Sequence, residues 1–515
     1  MLARRVGHPL GVGRRARRRP QTRRRARARR RPPGPARTAE PPSSAPGPLA
    51  ARDRTGAPIL GPVTTDASTD ASTDRSPGLR RAVTGPLLFL FILGDVLGAG
   101  VYALVGELGA EAGGAIWLPL LVALGMALLT AASYAELVTK YPKAGGSAVF
   151  AQRAFGSPLV SFLVGFCMLA AGVTSAAGLA LAFGGDYLSV FLDLPPVLTA
   201  VVFLALVAAL NMRGIQESLR ANVVMTSIEL SGLVLVVILG AVVLGRGDGD
   251  PGRVLELPTE TSWAAAVLGG ALIAFYSFVG FETSANLAEE VRDVRRVYPR
   301  ALFGALLAAG VVYLLVGLVA PAVVAPEDLA ASSGPLLEVV RAAGGVPLEI
   351  FSAVALVAVA NGALLTMIMA SRLTYGMAQE GLLPPVLGRV LPGRRTPWVA
   401  IVVTTVVAMV LAATGELVDL ASTVVLLLLF VFLSTNVAVL VLRRDRVDHP
   451  HFRAWTALPV LAVVTCVVLL TQQEARHWAL AGVLLAVGLV LHLVTRRASR
   501  RAPVDADADS DAAAR

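Results

Sequence analysis

The chain has 515 residues, of which 55% are hydrophobic and only 16% are charged. Soluble domains carry about 25% charged residues, so this composition excludes an ordinary soluble protein. Residues 1–81 hold 20 arginines and five acids, a net charge of +15, and the rest of the chain sums to −4. The basic balance therefore belongs to one terminal segment. That segment has no aromatic side chains for base stacking, so nucleic-acid binding is not expected.

Residues 1–80 are rich in Arg, Pro, Ala and Ser and contain the tract TDASTDASTD. This composition cannot bury apolar area and predicts a disordered N-terminal tail. The tail has no uninterrupted apolar region followed by a cleavage site, so a secretory signal is not expected. We interpret it as a cytoplasmic extension, with attraction to anionic lipid headgroups as the alternative function. Residues 496–515 predict a second disordered tail.

The residues that usually carry redox, metal or acid–base chemistry are scarce. Cys167 and Cys466 are the two cysteines, and both lie in apolar runs. The five histidines lie in the tail, in loops or near a helix end. These positions exclude a disulfide framework and predict no metal site, no cofactor and no enzyme activity.

Long apolar stretches separated by short polar breaks recur from residue 85 onward. Each approaches the roughly 20 residues that a helix needs to cross a bilayer. This pattern predicts an all-α integral membrane protein with twelve spans. We divide them into a ten-helix transport core at 85–442 and two accessory C-terminal helices at 454–495. The spans are placed at about 85–106, 114–138, 157–190, 195–211, 221–245, 262–288, 301–325, 346–378, 397–413, 416–442, 454–471 and 477–495.

The basic residues of alternate loops predict the orientation, because Lys and Arg resist translocation. Between Arg80 and Arg501, 23 of them fall in one set of loops together with both chain ends. The other set has only Arg246, Arg253, Arg341 and Arg476. Both termini are therefore expected in the cytoplasm, and the protein in the cytoplasmic membrane of the cell.

Two of the spans contain glycines beside an acid at mid-membrane depth. The first reads GPLLFLFILGDVLGAGVYALVG, and the sixth reads LGGALIAFYSFVGFETSANLAEE. Such segments predict broken helices that line a protein cavity. The amide end of a half-helix attracts a carboxylate and the carbonyl end attracts an ammonium group, which suits an amino acid. The alternative is a face of small residues for helix packing.

Several passages resemble the amino acid–polyamine–organocation (APC) superfamily of transporters. They are GDVLGAGVY at 94–102, SYAELVTKYPKAGGSAVFAQRAFG at 133–156, FYSFVGFETSANLAEEVRDVRRVYPRA at 275–301, SRLTYGMAQEGLLP at 371–384 and TPWVAI at 396–401. The resemblance implies a LeuT-like inverted-repeat fold: ten core helices in two five-helix repeats, with helices one and six broken at the substrate site. Two C-terminal helices follow the core.

The resemblance also implies site residues. The carboxylate-binding turn falls on Gly98, Ala99 and Gly100, beside Asp95. The aromatic gate falls on Tyr276, for which an ordinary packed aromatic is the alternative, and the sixth-helix break falls on Gly280, Phe281 and Glu282. For the loop acids and bases at the cytoplasmic gate we expect structural ion pairing; these are Glu136, Lys140, Glu290 and Arg292.

Three acids lie well inside their predicted spans, away from the ends: Asp95, Glu229 and Glu282. An isolated carboxylate at that depth is costly, so each is expected to be protonated, paired or in a wet cavity. Proton-coupled relatives often carry a lysine on the fifth helix, whereas this chain has Glu229. We therefore expect proton coupling through Glu229 first and Asp95 second, with Asn361 or Thr366 as partners. A neutral acid that bonds a neighbouring helix is the alternative.

Together these observations predict a secondary active transporter of amino acids. Neutral substrates are preferred because the third span has no ionised side chain before Asp186. A cationic amino acid or polyamine permease and an amino acid exchanger stay as alternatives. A membrane-embedded sensor, a six-plus-six transporter and a channel fit less well. The expected partners are the substrate, membrane lipid and protons.

Overall fold

The computed structural model describes residues 83–143, 145–213, 218–258, 262–391, 394 and 396–501. The predicted N-terminal tail and residues 502–515 of the predicted C-terminal tail lie outside these ranges. Within them the chain is helical, and the β-pairing is limited to one isolated bridge between Val83 and Val291.

Sixteen α-helices are found in the described ranges. Their bounds are α1 Gly85–Ala112, α2 Trp117–Lys140, α3 Gly146–Phe155, α4 Pro158–Phe183, α5 Asp186–Ser189, α6 Pro196–Arg213, α7 Ser218–Arg246, α8 Trp263–Tyr276, α9 Val294–Val323, α10 Pro326–Ala331, α11 Pro335–Ala343, α12 Leu348–Gln379, α13 Trp398–Thr414, α14 Leu417–Leu442, α15 Ala457–Thr471 and α16 Ala475–Arg501. Short 3₁₀ segments lie at Pro251–Leu255, Phe281–Leu287 and Pro385–Gly388.

The predicted spans are recovered as helices. Among the described residues, ten segments are long and apolar enough to cross a membrane, and the sixth of these joins α8 to the 3₁₀ segment behind it. The other two predicted spans are the shorter apolar helices α13 and α15. At 1.5 Å per residue their lengths are about 26 Å and 23 Å, slightly below the roughly 30 Å hydrocarbon core. Ten spans are therefore confirmed by length and composition.

Loop contacts divide the helix bundle into two ends. At the end with the Lys- and Arg-rich loops, Val83 pairs with the segment after the sixth span and Lys140 contacts the end of α14. We call this the basic end. At the opposite end, Arg246 reaches Ala343 and Arg476 pairs with Asp419. The alternation of loops along the sequence is thus matched in three dimensions.

The two helices with internal breaks lie inside the bundle. α1 packs against α7, α8, α9 and α12, whereas α4 packs mainly against α12 and α14. Helices α6 and α13 instead present large apolar side chains outward, with Leu206 65% and Val410 57% exposed. Such an apolar outer surface is suited to contact with lipid.

Candidate functional site

The first break lies within α1. Gly98 has non-helical dihedral angles (φ 19°, ψ −165°), which produce a kink between two helical parts of α1. The Tyr313 hydroxyl on α9 donates to the carbonyl oxygens of Val96 and Leu97, each at 2.7 Å. The carbonyl end of the half-helix is therefore capped by a tyrosine. Each of these carbonyl oxygens therefore has one acceptor position occupied by Tyr313.

The second break follows α8. The helix ends at Tyr276, and the chain turns through Gly280 (φ 121°) into the 3₁₀ segment at 281–287. A Cβ at Gly280 would lie 2.6 Å from the carbonyl oxygen of Asp95. Glycine is required here both by its positive φ and by the close approach. The two breaks are therefore in direct contact.

The other glycines of the first break have different surroundings. A Cβ at Gly100 would lie 2.7 Å from the Ser277 Cα, and one at Gly94 would lie 2.0 Å from the Thr226 hydroxyl oxygen. Both residues therefore permit close helix packing. A Cβ at Gly98 would meet nothing within 4 Å, and this residue lines a cavity. Packing and an open turn thus occur within the same motif.

The cavity between the two breaks has a volume of about 560 Å³, including the part open to solvent. The broken segments form one wall, and α4, α12 and α14 form the others. The lining includes Asp95, Gly98, Gly100, Tyr276, Gly280, Glu282, Thr283, Met168, Ala171, Gly172, Ser175, Leu179, Thr366, Met369, Val424 and Leu428.

Two acids line this cavity, and their carboxyl groups have different partners. The Glu282 carboxylate accepts a hydrogen bond from the Gly280 amide at 2.9 Å, so it caps the turn to which it belongs. The Asp95 carboxylate accepts a hydrogen bond from the Thr283 hydroxyl. No Lys, Arg or His is found among the described residues that line the cavity. The polar wall is thus acidic.

Phe281 and Ala99 complete the predicted site residues. Phe281 is fully buried and stacks on Phe432 with a centroid distance of 5.5 Å, which makes it a packing residue behind the turn. Ala99 lies within α1 beside Gly98. Phe281 is not among the residues that line the cavity.

Tyr276 has a partner that sequence reasoning missed. Its hydroxyl lies 2.9 Å from the hydroxyl of Ser175 on α4. The α4 wall of the cavity is formed by residues at positions i, i+3, i+4, i+7 and i+11 of one helical face: Met168, Ala171, Gly172, Ser175 and Leu179. The helical period of this face, with a single polar residue in it, is the signal that points to Ser175.

Glu229 lies outside the cavity lining, in the interface of α1, α7 and α12. It is fully buried, and neither carboxyl oxygen has a hydrogen-bond partner. The carboxyl group faces Asn361, whose Nδ2 donates to the Asn222 Oδ1 at 3.1 Å. Thr366 is elsewhere: it lines the cavity and donates to the Gly362 carbonyl at 2.7 Å. Of the two predicted partners, Asn361 is therefore the one beside Glu229.

The acids and bases of the gate loops form a network at the basic end. Glu136 makes a two-pronged ion pair with Arg443, with distances of 3.0 and 2.7 Å. Lys140 donates instead to the carbonyls of Leu442 and Asp445, both at 2.6 Å. This network joins α2 to the end of α14, a pairing that loop composition did not indicate.

The segment after the sixth span forms a second contact at this end. The amide of Val83 donates to the Glu290 carbonyl at 3.0 Å, and the amide of Arg292 donates to the Val83 carbonyl at 3.0 Å. Arg372 on α12 lies close enough to Glu290 for an electrostatic interaction. Val83, just before α1, is therefore hydrogen-bonded to the segment that follows the second break.

Comparison with known proteins agrees with this architecture. The sequence profile of the amino acid permease family matches residues 87–489. An uncharacterized transporter of Mycobacterium tuberculosis is 32% identical over 78% of this chain and 88% of its own length.

Two relatives with named substrates are more distant. A branched-chain amino acid permease of Bacillus subtilis is 25% identical over 80% of this chain and 92% of its own. A low-affinity putrescine importer of Escherichia coli is 29% identical over 70% and 82%. The proteins of this family are transporters, not enzymes. The many apolar helices of this chain indicate a multi-pass membrane protein. This chain therefore belongs to the amino acid permease family.

Proposed function

We propose that the protein is a secondary active transporter that moves neutral amino acids across the cytoplasmic membrane by alternating access. The observation that carries this proposal is one cavity with two unlike walls. Asp95, Thr283 and the glycine turn lie on one side, and Met168, Leu179 and Met369 lie on the other. A zwitterion with an aliphatic side chain matches both walls.

We assign the substrate ammonium group to Asp95. Tyr313 already donates to the carbonyls at the end of the first half-helix, and the Glu282 carboxylate is engaged by the Gly280 amide. Asp95 keeps a carboxyl oxygen beyond the one that accepts from Thr283. The substrate carboxylate is assigned to the backbone at 98–100, where the second half-helix begins with its positive dipole end.

A cationic amine is the second candidate substrate, and the acidic lining is the observation that favours it. Two carboxyl groups and no basic side chain lie among the described lining residues, so a positive charge is attracted. The putrescine importer among the relatives fits the same chemistry. The neutral substrate is preferred because a distal ammonium group would be desolvated against Met168, Met369 and Leu428.

The proposed coupling uses Glu229. An ionised carboxylate without a partner is strongly unfavourable in the membrane interior, and a protonated one can donate to the Asn361 Oδ1, which also has no partner. Loss of that proton would change the contact between α7 and α12. We therefore propose proton-coupled transport, with exchange as the alternative, and the basic end at the cytoplasmic face.

Uptake into proteoliposomes tests the proposal. Radiolabelled leucine, valine, alanine, arginine and putrescine are supplied with and without an inward proton gradient, with protein-free liposomes as the control. We expect saturable leucine or valine uptake that the gradient drives to accumulation. Uptake confined to arginine or putrescine would favour the amine candidate. Uptake of none of the five compounds would contradict both candidates.

A further inference from the structure

The α4 wall of the cavity presents a single hydroxyl group among apolar residues. Its other lining residues are Met168, Ala171, Gly172 and Leu179, whereas Ser175 contributes its hydroxyl. That hydroxyl lies 2.9 Å from the hydroxyl of Tyr276, a residue that is 7% exposed. Small residues such as serine are common in the packed faces of membrane helices, but close packing does not account for the hydrogen bond to Tyr276.

The hydrogen bond crosses the cavity. α4 packs mainly against α12 and α14, whereas α8 packs against α1, α2 and α14, and each contributes a different wall. The Tyr276 side chain extends from the end of α8 to α4, where its hydroxyl is hydrogen-bonded to that of Ser175. Serine has a single side-chain torsion to order, so it positions a tyrosine hydroxyl at little entropic cost.

The position of the Ser175–Tyr276 pair along the helix axes determines toward which end of the bundle it closes the cavity. Leu179 lies one helical turn beyond Ser175, toward the opposite end where α4 finishes. On α14, which begins at that end, Leu420 lies level with Gly178. Leu428 is two turns deeper and also lines the cavity. The tyrosine therefore separates Leu428 and the two breaks from the opposite end.

We propose that Ser175 is a positioning residue that holds Tyr276 closed across the cavity, so that opening toward the opposite end breaks this hydrogen bond. The identity of the enclosed compound rests on the proposed function; the closure does not. A hydrogen bond of typical net strength shifts an opening equilibrium about threefold to tenfold. Loss of either hydroxyl should raise the open population by that factor.

Thiol accessibility measures this population without a substrate. The background carries Cys167→Ala and Cys466→Ala, with Leu428→Cys as the probe, in proteoliposomes exposed to a membrane-impermeant thiol reagent. The test variants are Ser175→Ala, Tyr276→Phe and the two combined. Ser175→Thr retains the hydroxyl. Ser161→Ala is the matched control, because Ser161 lies on the same helix and donates to the Ala148 carbonyl instead.

We expect labelling about three to ten times faster in Ser175→Ala and in Tyr276→Phe, with the double variant no faster than either, because both changes remove one bond. Ser175→Thr and Ser161→Ala should label at the parent rate. Parent-like labelling in Ser175→Ala, or multiplied effects in the double variant, would overturn the proposal. If one of the two single variants fails to fold, the labelling rate of the other, compared with that of the parent protein, still tests the proposal.

Binding by the wild-type protein separates this inference from the proposed function. If wild type binds no amino acid or amine, the proposed function fails, whereas the labelling result stands by itself. If wild type binds leucine and the labelling rates of all variants are equal, the closure proposal fails alone.

Discussion

Gly280 lies against the main chain of Asp95. A Cβ at position 280 would be 2.6 Å from the Asp95 carbonyl oxygen and 3.1 Å from the Asp95 carboxyl carbon. The two broken segments therefore meet backbone to backbone, with an acid of the cavity at the point of contact. This contact opposes any shift of one segment toward the other.

Gly280→Ala is expected to lower the melting temperature and abolish uptake. The methyl group would overlap the Asp95 carbonyl, and φ of 121° is strained for alanine by about 1–3 kcal/mol. Gly125→Ala is the matched control, because a Cβ on this α2 residue meets nothing within 4 Å. Thermal unfolding of the purified variants measures the effect. A Gly280→Ala melting temperature equal to that of wild type would contradict the close approach.

Asp95→Asn is expected to weaken substrate binding about 10-fold to 100-fold, since a hydrogen bond to a charged group contributes about 1.5–3 kcal/mol. The amide oxygen can still accept from Thr283, so the fold should be retained. Equilibrium binding of labelled leucine to purified protein measures the loss. Glu380→Gln, at an exposed acid after α12, should bind like wild type. Equal affinity of Asp95→Asn and wild type would remove Asp95 from the binding site.

Tyr313→Phe removes the donor shared by the Val96 and Leu97 carbonyls. Leaving a buried polar group unsatisfied costs about 1–3 kcal/mol, so the melting temperature should fall. The ring itself keeps its edge contact with Phe278, whose centroid is 5.3 Å away. If the variant is as stable as wild type, the half-helix carbonyls do not depend on this hydroxyl.

Glu229→Gln mimics the protonated acid and is expected to lose accumulation driven by a proton gradient. Exchange of labelled for unlabelled substrate should continue, because the cavity lining is unchanged. Uptake with and without the gradient, beside counterflow with equal pH on both sides, measures the two activities. Gradient-driven accumulation like that of wild type would show that Glu229 is not the coupling residue. If uptake by the wild-type protein responds to neither pH nor membrane potential, the carrier is an exchanger or facilitator and proton coupling is contradicted.

The helices, the two ends of the bundle and the helix breaks can be predicted from the sequence alone. Spans of apolar residues, alternating basic loops and the glycine–acid clusters around Asp95 and Glu282 are local patterns, and each predicts its own helix, end or break. Helix boundaries were less well determined: α1 extends to Ala112, beyond the predicted end at about 106. The charged residues that follow the apolar stretch do not end the helix, because helical hydrogen bonds can continue beyond an apolar stretch.

The partners of the site residues depend on the tertiary structure. Ser175 meets Tyr276 across 101 positions, and Tyr313 meets Val96 across 217. Likewise, Arg443 reaches Glu136 across 307 positions. A helical pattern determines which residues share a face, but it does not determine how far each helix is rotated about its axis or shifted along its neighbour. Packing of the whole bundle decides rotation and depth, because only there do side chains from distant segments compete for the same space.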